Sequence, residues 1–258
     1  MRTQVLAVVL AVCAASPARA IDRWEAAPDD TATTYNVLRH GMLQEGHDLE
    51  STGGIADQDF MRVVSKPRHS YQASVRGLRW MCPSCPALYV QHLSGTPIGA
   101  GTAGGDDPLA GDGALGVRVG WIADTATTFV VRVTGVTGMT AEASSYDIQL
   151  LDTTLFVPRW NNTASQTTVL VLQNTMNYQM FGTVYFHDAA GVLLATVDVS
   201  APQHGVHVLQ TASIAALQGK SGSATISQAP YAAFVGKAVA LEPATGFTFD
   251  TAIVPLPY

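Results

Sequence analysis

Along most of the chain, short runs of β-branched and aromatic residues are separated by clusters of Gly, Pro, Asp and Ser. In Ser70-Tyr71-Gln72-Ala73-Ser74-Val75, apolar and polar residues alternate, which is the period of a half-buried strand. The same texture predicts strands at Phe60–Val64, Tyr71–Val75, Leu88–Leu93, Gly116–Ile122, Phe129–Val133 and Tyr146–Leu150. Further along it predicts strands at Leu155–Val157, Thr167–Gln173, Gly182–His187, Val192–Val199, Val206–Leu209, Ser223–Ser227, Ala232–Leu241 and Phe247–Ile253. The turn-forming segment His187-Asp188-Ala189-Ala190-Gly191 joins two of these runs as a hairpin. Gly99–Gly116, with seven Gly and three Asp, reads as a long surface loop. Helical spacing is confined to Thr31–Gln44, where Tyr35, Leu38 and Met42 recur, and to a short turn at Thr211–Leu217; the first segment fits a loop equally well. No strand–helix–strand alternation is present, which excludes a parallel-sheet architecture and leaves an all-β chain of antiparallel, jelly-roll-like sandwiches. A change of texture near Asp152-Thr153-Thr154 divides it into residues 21–152 and 153–258, each of sandwich length.

The beginning of the chain belongs to neither half. Arg2, the apolar run Val5–Ala15 and Ala18-Arg19-Ala20 follow the pattern of a cleaved signal peptide over residues 1–20, so a secreted, extracellular or periplasmic location is expected. No later stretch is apolar for long enough to span a bilayer as a helix.

Composition narrows the function. Of the 258 residues only 13% are charged, about half the usual share. Losing Arg2 and Arg19 with the signal leaves 12 basic against 20 acidic residues, a net charge of −8. That balance excludes a coiled coil, a charged disordered tail and a basic nucleic-acid binder, and it disfavours attachment to anionic membranes.

Two cysteines remain in Trp80-Met81-Cys82-Pro83-Ser84-Cys85-Pro86. In an exported chain, Cys82 and Cys85 read as a short structural disulfide stiffened by two prolines. The alternatives are a redox dithiol, which lacks the usual strand–helix setting, and a zinc site, for which His69 and His92 would have to add ligands.

The order of Glu25, Asp29-Asp30, Ile55-Ala56-Asp57-Gln58-Asp59-Phe60, Ser70–Val75, Phe129–Val133 and Ser145-Tyr146-Asp147-Ile148-Gln149-Leu150 resembles the bacterial pre-peptidase C-terminal domain, over about residues 25–152. The resemblance implies a jelly-roll-like sandwich that serves secretion, folding or attachment rather than catalysis. It also implies a calcium site using Asp30, Asp57 and Asp59, with Asp29 and Glu25 as further donors. Hard carboxylate oxygens suit that ion. Taken by themselves, Asp57 and Asp59 equally shape a turn before a strand. A second acidic group, Asp106, Asp107 and Asp112, lacks the spacing of a calcium loop. The second half, with Val157–Asn162, Thr168–Asn174 and Leu241–Asp250, resembles tail modules of secreted bacterial proteins that have no assigned activity.

Catalytic signatures are missing. Gly219-Lys220-Ser221-Gly222-Ser223 departs from a nucleophile elbow, and there is no metalloprotease or phosphate-loop motif. His204 and His207, read on one face of a possible strand, offer a metal ligand pair or a base. Trp24, Trp80, Trp121 and Trp160, with Tyr35, Tyr89, Tyr178 and Tyr231, offer stacking platforms or core filling. The expectation is a secreted, non-catalytic accessory protein that attaches to an extracellular polymer, matrix protein or partner enzyme. An unfamiliar secreted hydrolase or thiol-redox protein, centred on those histidines or the cysteine pair, is the alternative.

Overall fold

A computed structural model of the chain describes residues 31–33, 36–51, 55–77, 87–105, 116–140, 145–228 and 230–256. The signal segment, Cys82, Cys85, Asp30 and the acidic group at 106–112 lie outside the described residues.

The described chain is all β and antiparallel, as expected, and builds two sandwiches. Strands β1 (Leu43–His47), β2 (Gln58–Val64), β3 (His69–Arg76), β4 (Ala87–His92), β5 (Pro97–Gly105), β6 (Gly116–Ala123), β7 (Thr128–Thr134) and β8 (Tyr146–Asp152) form the first. One layer is β2-β7-β4 and the other β6-β3-β8-β1. β5 joins them, because its first half pairs with β4 and its second half with β6. Inward positions from both layers, among them Met61, Val63, Leu88, Val131, Tyr71, Val119, Trp121 and Ile148, form a single buried core.

One expectation fails here and one open choice is decided. Gly99–Gly116 is not wholly a loop, since β5 runs to Gly105; pairing on both sides holds a glycine-rich backbone extended despite its weak strand preference. Over the described part of Thr31–Gln44 the loop reading holds and the helical one does not. From Asn36 the chain is extended: Leu38 N–H donates to the Arg62 carbonyl of β2, and Gly41 N–H to the Leu150 carbonyl of β8. The segment therefore links the two layers before entering β1, and its backbone bonds leave no use for a helix.

The second sandwich packs β13 (Val206–Gln210), β10 (Thr167–Asn174), β15 (Phe234–Glu242) and β16 (Phe247–Ala252), in that order, on a second sheet. That sheet has the order β12 (Leu193–Ala201), β11 (Met180–Asp188), β14 (Ser221–Gln228), β9 (Leu155–Asn161) and β17 (Val254–Pro255). β11 and β12 form the expected hairpin, closed where Gly191 N–H donates to the Asp188 carbonyl and Asp188 N–H to the Val192 carbonyl. Short 3-10 turns occupy Thr211–Ser213 and Ala215–Leu217. Trp160 fills the core, its ring edge-on to Phe186 at 5.7 Å and its N–H donating to the Ser223 carbonyl.

The sandwiches meet through buried polar side chains. Thr153 Oγ1 lies 2.8 Å from the Ser70 hydroxyl and donates to the Gln228 carbonyl at 2.5 Å. Gln228 N–H donates to Ser70 Oγ, its amide nitrogen donates to the Thr153 carbonyl, and its amide oxygen accepts from Phe234 N–H. Gln72 Oε1 accepts from Tyr231 N–H, and Ser227 donates to the Arg68 carbonyl. Ser70, Gln72, Thr153, Thr154, Ser227 and Gln228 are all buried. Polar groups removed from water are retained only when bonded, so this network fixes the approach of the two halves.

Candidate interaction surface and the fate of the predicted site residues

Alternation along β10 sends Thr168, Leu170 and Leu172 into the core and leaves Val169 and Val171 outward. The register then fixes their neighbours. Val171 stands between Val208 of β13 and Lys237 of β15, Val169 opposite Val239, Gln173 between Val206 and Val235, and Thr167 opposite Leu241. The outer face of this four-stranded sheet therefore carries six valines and a leucine. Val206, Val208 and Val235 are 51%, 55% and 47% exposed. Its charges come as a neutral pair, Lys237 Nζ and Asp250 at 2.6 Å. With strands about 4.8 Å apart and about 3.4 Å per residue, the footprint is on the order of 400 Å². That is the size at which apolar patches on monomers tend to be functional.

The outer face of the other sheet is mixed, with hydroxyl and carboxylate side chains set among scattered aromatics. Its outward positions include Thr183, Thr196, Asp198, Ser200, Ser223 and Thr225 together with Phe156, Phe181 and Tyr185, of which Phe181 is 65% exposed, and Ser227 on the same face is taken up by the junction. Apolar residues face outward on the sheet that lies away from the first sandwich. β16 forms its edge, with Phe247 74% exposed, and no proline or bulge interrupts it.

Of the calcium set, Asp57 and Asp59 are described. Asp57 stands just before β2, where its carboxylate accepts from Gln58 N–H and its carbonyl from Gly135 N–H. Asp59 alternates with Met61 and Val63 and so points between the layers, where it is buried and accepts a hydrogen bond from the Tyr146 hydroxyl of β8. His47 stacks on Tyr146 at 5.0 Å, and its Nε2 lies 3.2 Å from Gln44 Oε1. Burial pushes the His47 pKa down to about 3, so the ring is neutral. These residues form a polar pin between the layers at one end of the first core. Among the described residues no three His, Cys, Asp or Glu converge as a metal site.

His204 and His207 do not share a strand face. His204 occupies the turn before β13 with φ +53°, while His207 lies 2.9 Å from the Ser200 carbonyl through Nδ1. Trp121 and Trp160 are core residues; Trp121 packs on Tyr71 and Phe129. Tyr89 lies under the Arg132 guanidinium at 4.6 Å. Tyr178 is the exposed member of the described platforms, at 45%.

Sequence reasoning did not find a cluster at the opposite end of the first core. Asp152 accepts from His69 Nδ1 at 2.7 Å and from Thr154 N–H at 3.1 Å, while Asp152 N–H donates to His40 Nδ1 at 2.7 Å. Burial opposes the Asp152 charge, but the His69 and Thr154 bonds outweigh it and hold its pKa below the usual carboxylate value. Ser70, next to His69, projects to the opposite side of β3 and is committed to the junction, so this pair orients no hydroxyl nucleophile there. The signal was present only as isolated His and Asp residues far apart in sequence.

No family model and no curated protein matches the chain. Among solved structures it is similar to a β-glucuronidase from glycoside hydrolase family 2, at 12% identity and a TM-score of 0.20, over 87% of this chain and 26% of that one. The chain spans about a quarter of that enzyme's length. Among the described residues no helix is long and apolar enough to cross a membrane.

Proposed function

We propose that the protein is a non-catalytic attachment protein working outside the producing cell, and that it holds a partner protein or polymer surface against the outer face of β13-β10-β15-β16. The observation that carries this reading is the contrast between the two outer faces of one sandwich. One mixes Thr, Ser and Asp with scattered aromatics such as Phe181, and the other is a continuous valine surface with a single internally neutralised ion pair. Nothing in folding the sandwich requires the second face to be apolar. A signal-like N-terminus and an acidic charge balance fit an extracellular role.

The test is co-sedimentation of the purified protein with intact producing cells and their surface material. The protein should sediment, whereas Val171→Glu with Val208→Lys, a cross-strand pair of opposite charge outside the core, should leave it in the supernatant with its melting temperature nearly unchanged. Thr196→Lys, an exposed position on the outer face of the other sheet, should behave like the parent. Equal sedimentation of the parent and the double variant would remove the basis for this reading.

A further inference from the structure

A surface cavity of about 360 Å³ lies over the end of the first core that faces the second sandwich, where Leu38, Tyr71, Leu150 and Asp152 are almost wholly buried and Val64 is exposed. Its apolar wall is Leu38, Val64, Leu150 and Leu256, the last contributed by the tail of the second sandwich. Its polar lining is Arg39, His40, Lys66, Tyr71 and Asp152. The volume falls within the range of small-molecule sites, which are mostly apolar with a few converging polar groups.

We infer that this cavity binds a small organic anion, its acidic group held at Arg39, Lys66 and the Tyr71 hydroxyl and its apolar body against Val64 and Leu256. Three features point to an anion. In a chain so poor in basic residues, two exposed cations stand at one rim, and neither Arg39 nor Lys66 forms an ion pair among the described residues. The one carboxylate in the lining has both oxygens occupied by protein donors, His69 on one and Thr154 on the other, which moderates its repulsion of a second anion. Tyr71, 3% exposed, accepts a hydrogen bond from Lys66 N–H at 2.8 Å, while its own proton goes to no acceptor among the described residues. A buried phenol with an uncommitted proton at the wall of a cavity is a donor for an incoming oxygen. His40 contributes shape and a defined tautomer: accepting from Asp152 N–H at Nδ1 places the ring proton on Nε2.

The apolar wall argues for an organic acid over a bare inorganic anion, since burying aliphatic surface rewards a ligand with a hydrocarbon body. The inference is independent of the attachment surface, which lies on the other sandwich.

Octanoate and 4-phenylbutyrate, titrated into the signal-free full chain and followed by calorimetry and amide NMR shifts, provide the test, with the corresponding amides and inorganic phosphate as comparisons. At least one carboxylate should bind saturably at one site and shift the backbone N–H signals of residues 38–40, 66 and 68–71, while the amides of the acids and phosphate should bind at least about tenfold more weakly. Arg39→Gln with Lys66→Gln should weaken binding about tenfold or more, consistent with lost charge-assisted hydrogen bonds. Tyr71→Phe, which keeps the ring packed on Trp121, should weaken it several-fold. Absence of saturable binding by either carboxylate, equal binding of the neutral amides or of phosphate, or binding that neither variant alters would each overturn the proposal.

Discussion

His47 shows how much one residue's chemistry depends on where folding puts it. Its ordinary pKa of 6.5 falls to about 3 in the fold because burial disfavours the charged ring. Between those values the unfolded chain takes up a proton that the folded chain refuses, so the contribution of His47 to stability is fully present above pH 6.5 and is lost as pH falls toward 3. The melting temperature should therefore drop between pH 7 and pH 4, and His47→Gln should make that slope shallower. It should not flatten it, since the pKa of His187 is also lowered, by burial and by Arg68, and adds a dependence of the same sign. A slope identical in parent and variant would show that His47 is not a buried neutral group. Asp59 illustrates the same point. An acid two residues after Asp57 reads as a surface ligand or turn former, but strand alternation turns it inward onto Tyr146, and only the opposing layer supplies that partner.

At the scale of elements, the sequence pattern located almost every strand of the described chain, often to within two residues, because alternation and turn chemistry are local properties. It missed β1, β5 and the two-residue β17. β5 has a glycine-rich sequence whose extended form depends on having neighbours on both sides, and β1 continues a segment whose backbone bonds go to distant strands. Close approach of paired strands also places a demand on one glycine. A Cβ built on Gly236 of β15 would lie 2.2 Å from the Val171 carbonyl oxygen of β10. Gly236→Ala should therefore force those strands apart and lower stability by about 1–3 kcal/mol, the usual range for overpacking a tight contact. Thermal unfolding measures this, and an unchanged midpoint would mean that β10 and β15 are more loosely paired than described. The same two strands carry Val171, Val235 and Val239 on the proposed contact face, so the variant should also weaken attachment.

At the scale of the whole molecule, a tandem of independent sandwiches and a single coupled body make different predictions. The junction is a polar network of buried Ser70, Gln72, Thr153, Thr154, Ser227 and Gln228, in which each loss strands a desolvated partner. Such a loss typically costs about 1–3 kcal/mol. Calorimetry should give one cooperative transition for the parent chain. Gln228→Ala, which removes the acceptor of Phe234 N–H and the donor to the Thr153 carbonyl, should lower the midpoint or resolve two transitions. Two transitions already present in the parent would mean that the halves are uncoupled.

From the sequence alone follow the all-β class and the approximate limits of most strands, and from it come the expectations of a signal-like N-terminus and of no nucleic-acid partner. Those properties follow from periodicity, turn residues and composition, which act over a few neighbours at a time. The tertiary structure decided which face of each strand is core, where Asp59 and His47 went, and that Tyr71, Asp152 and Arg39 share a cavity. It also decided that Val169, Val171, Val206, Val208, Val235 and Val239 share one outer surface. These depend on register between strands far apart in the chain, as with Ser70 and Gln228, which meet across 158 residues. A pattern of period two says that a strand has two faces, and only its neighbours say which of them meets water.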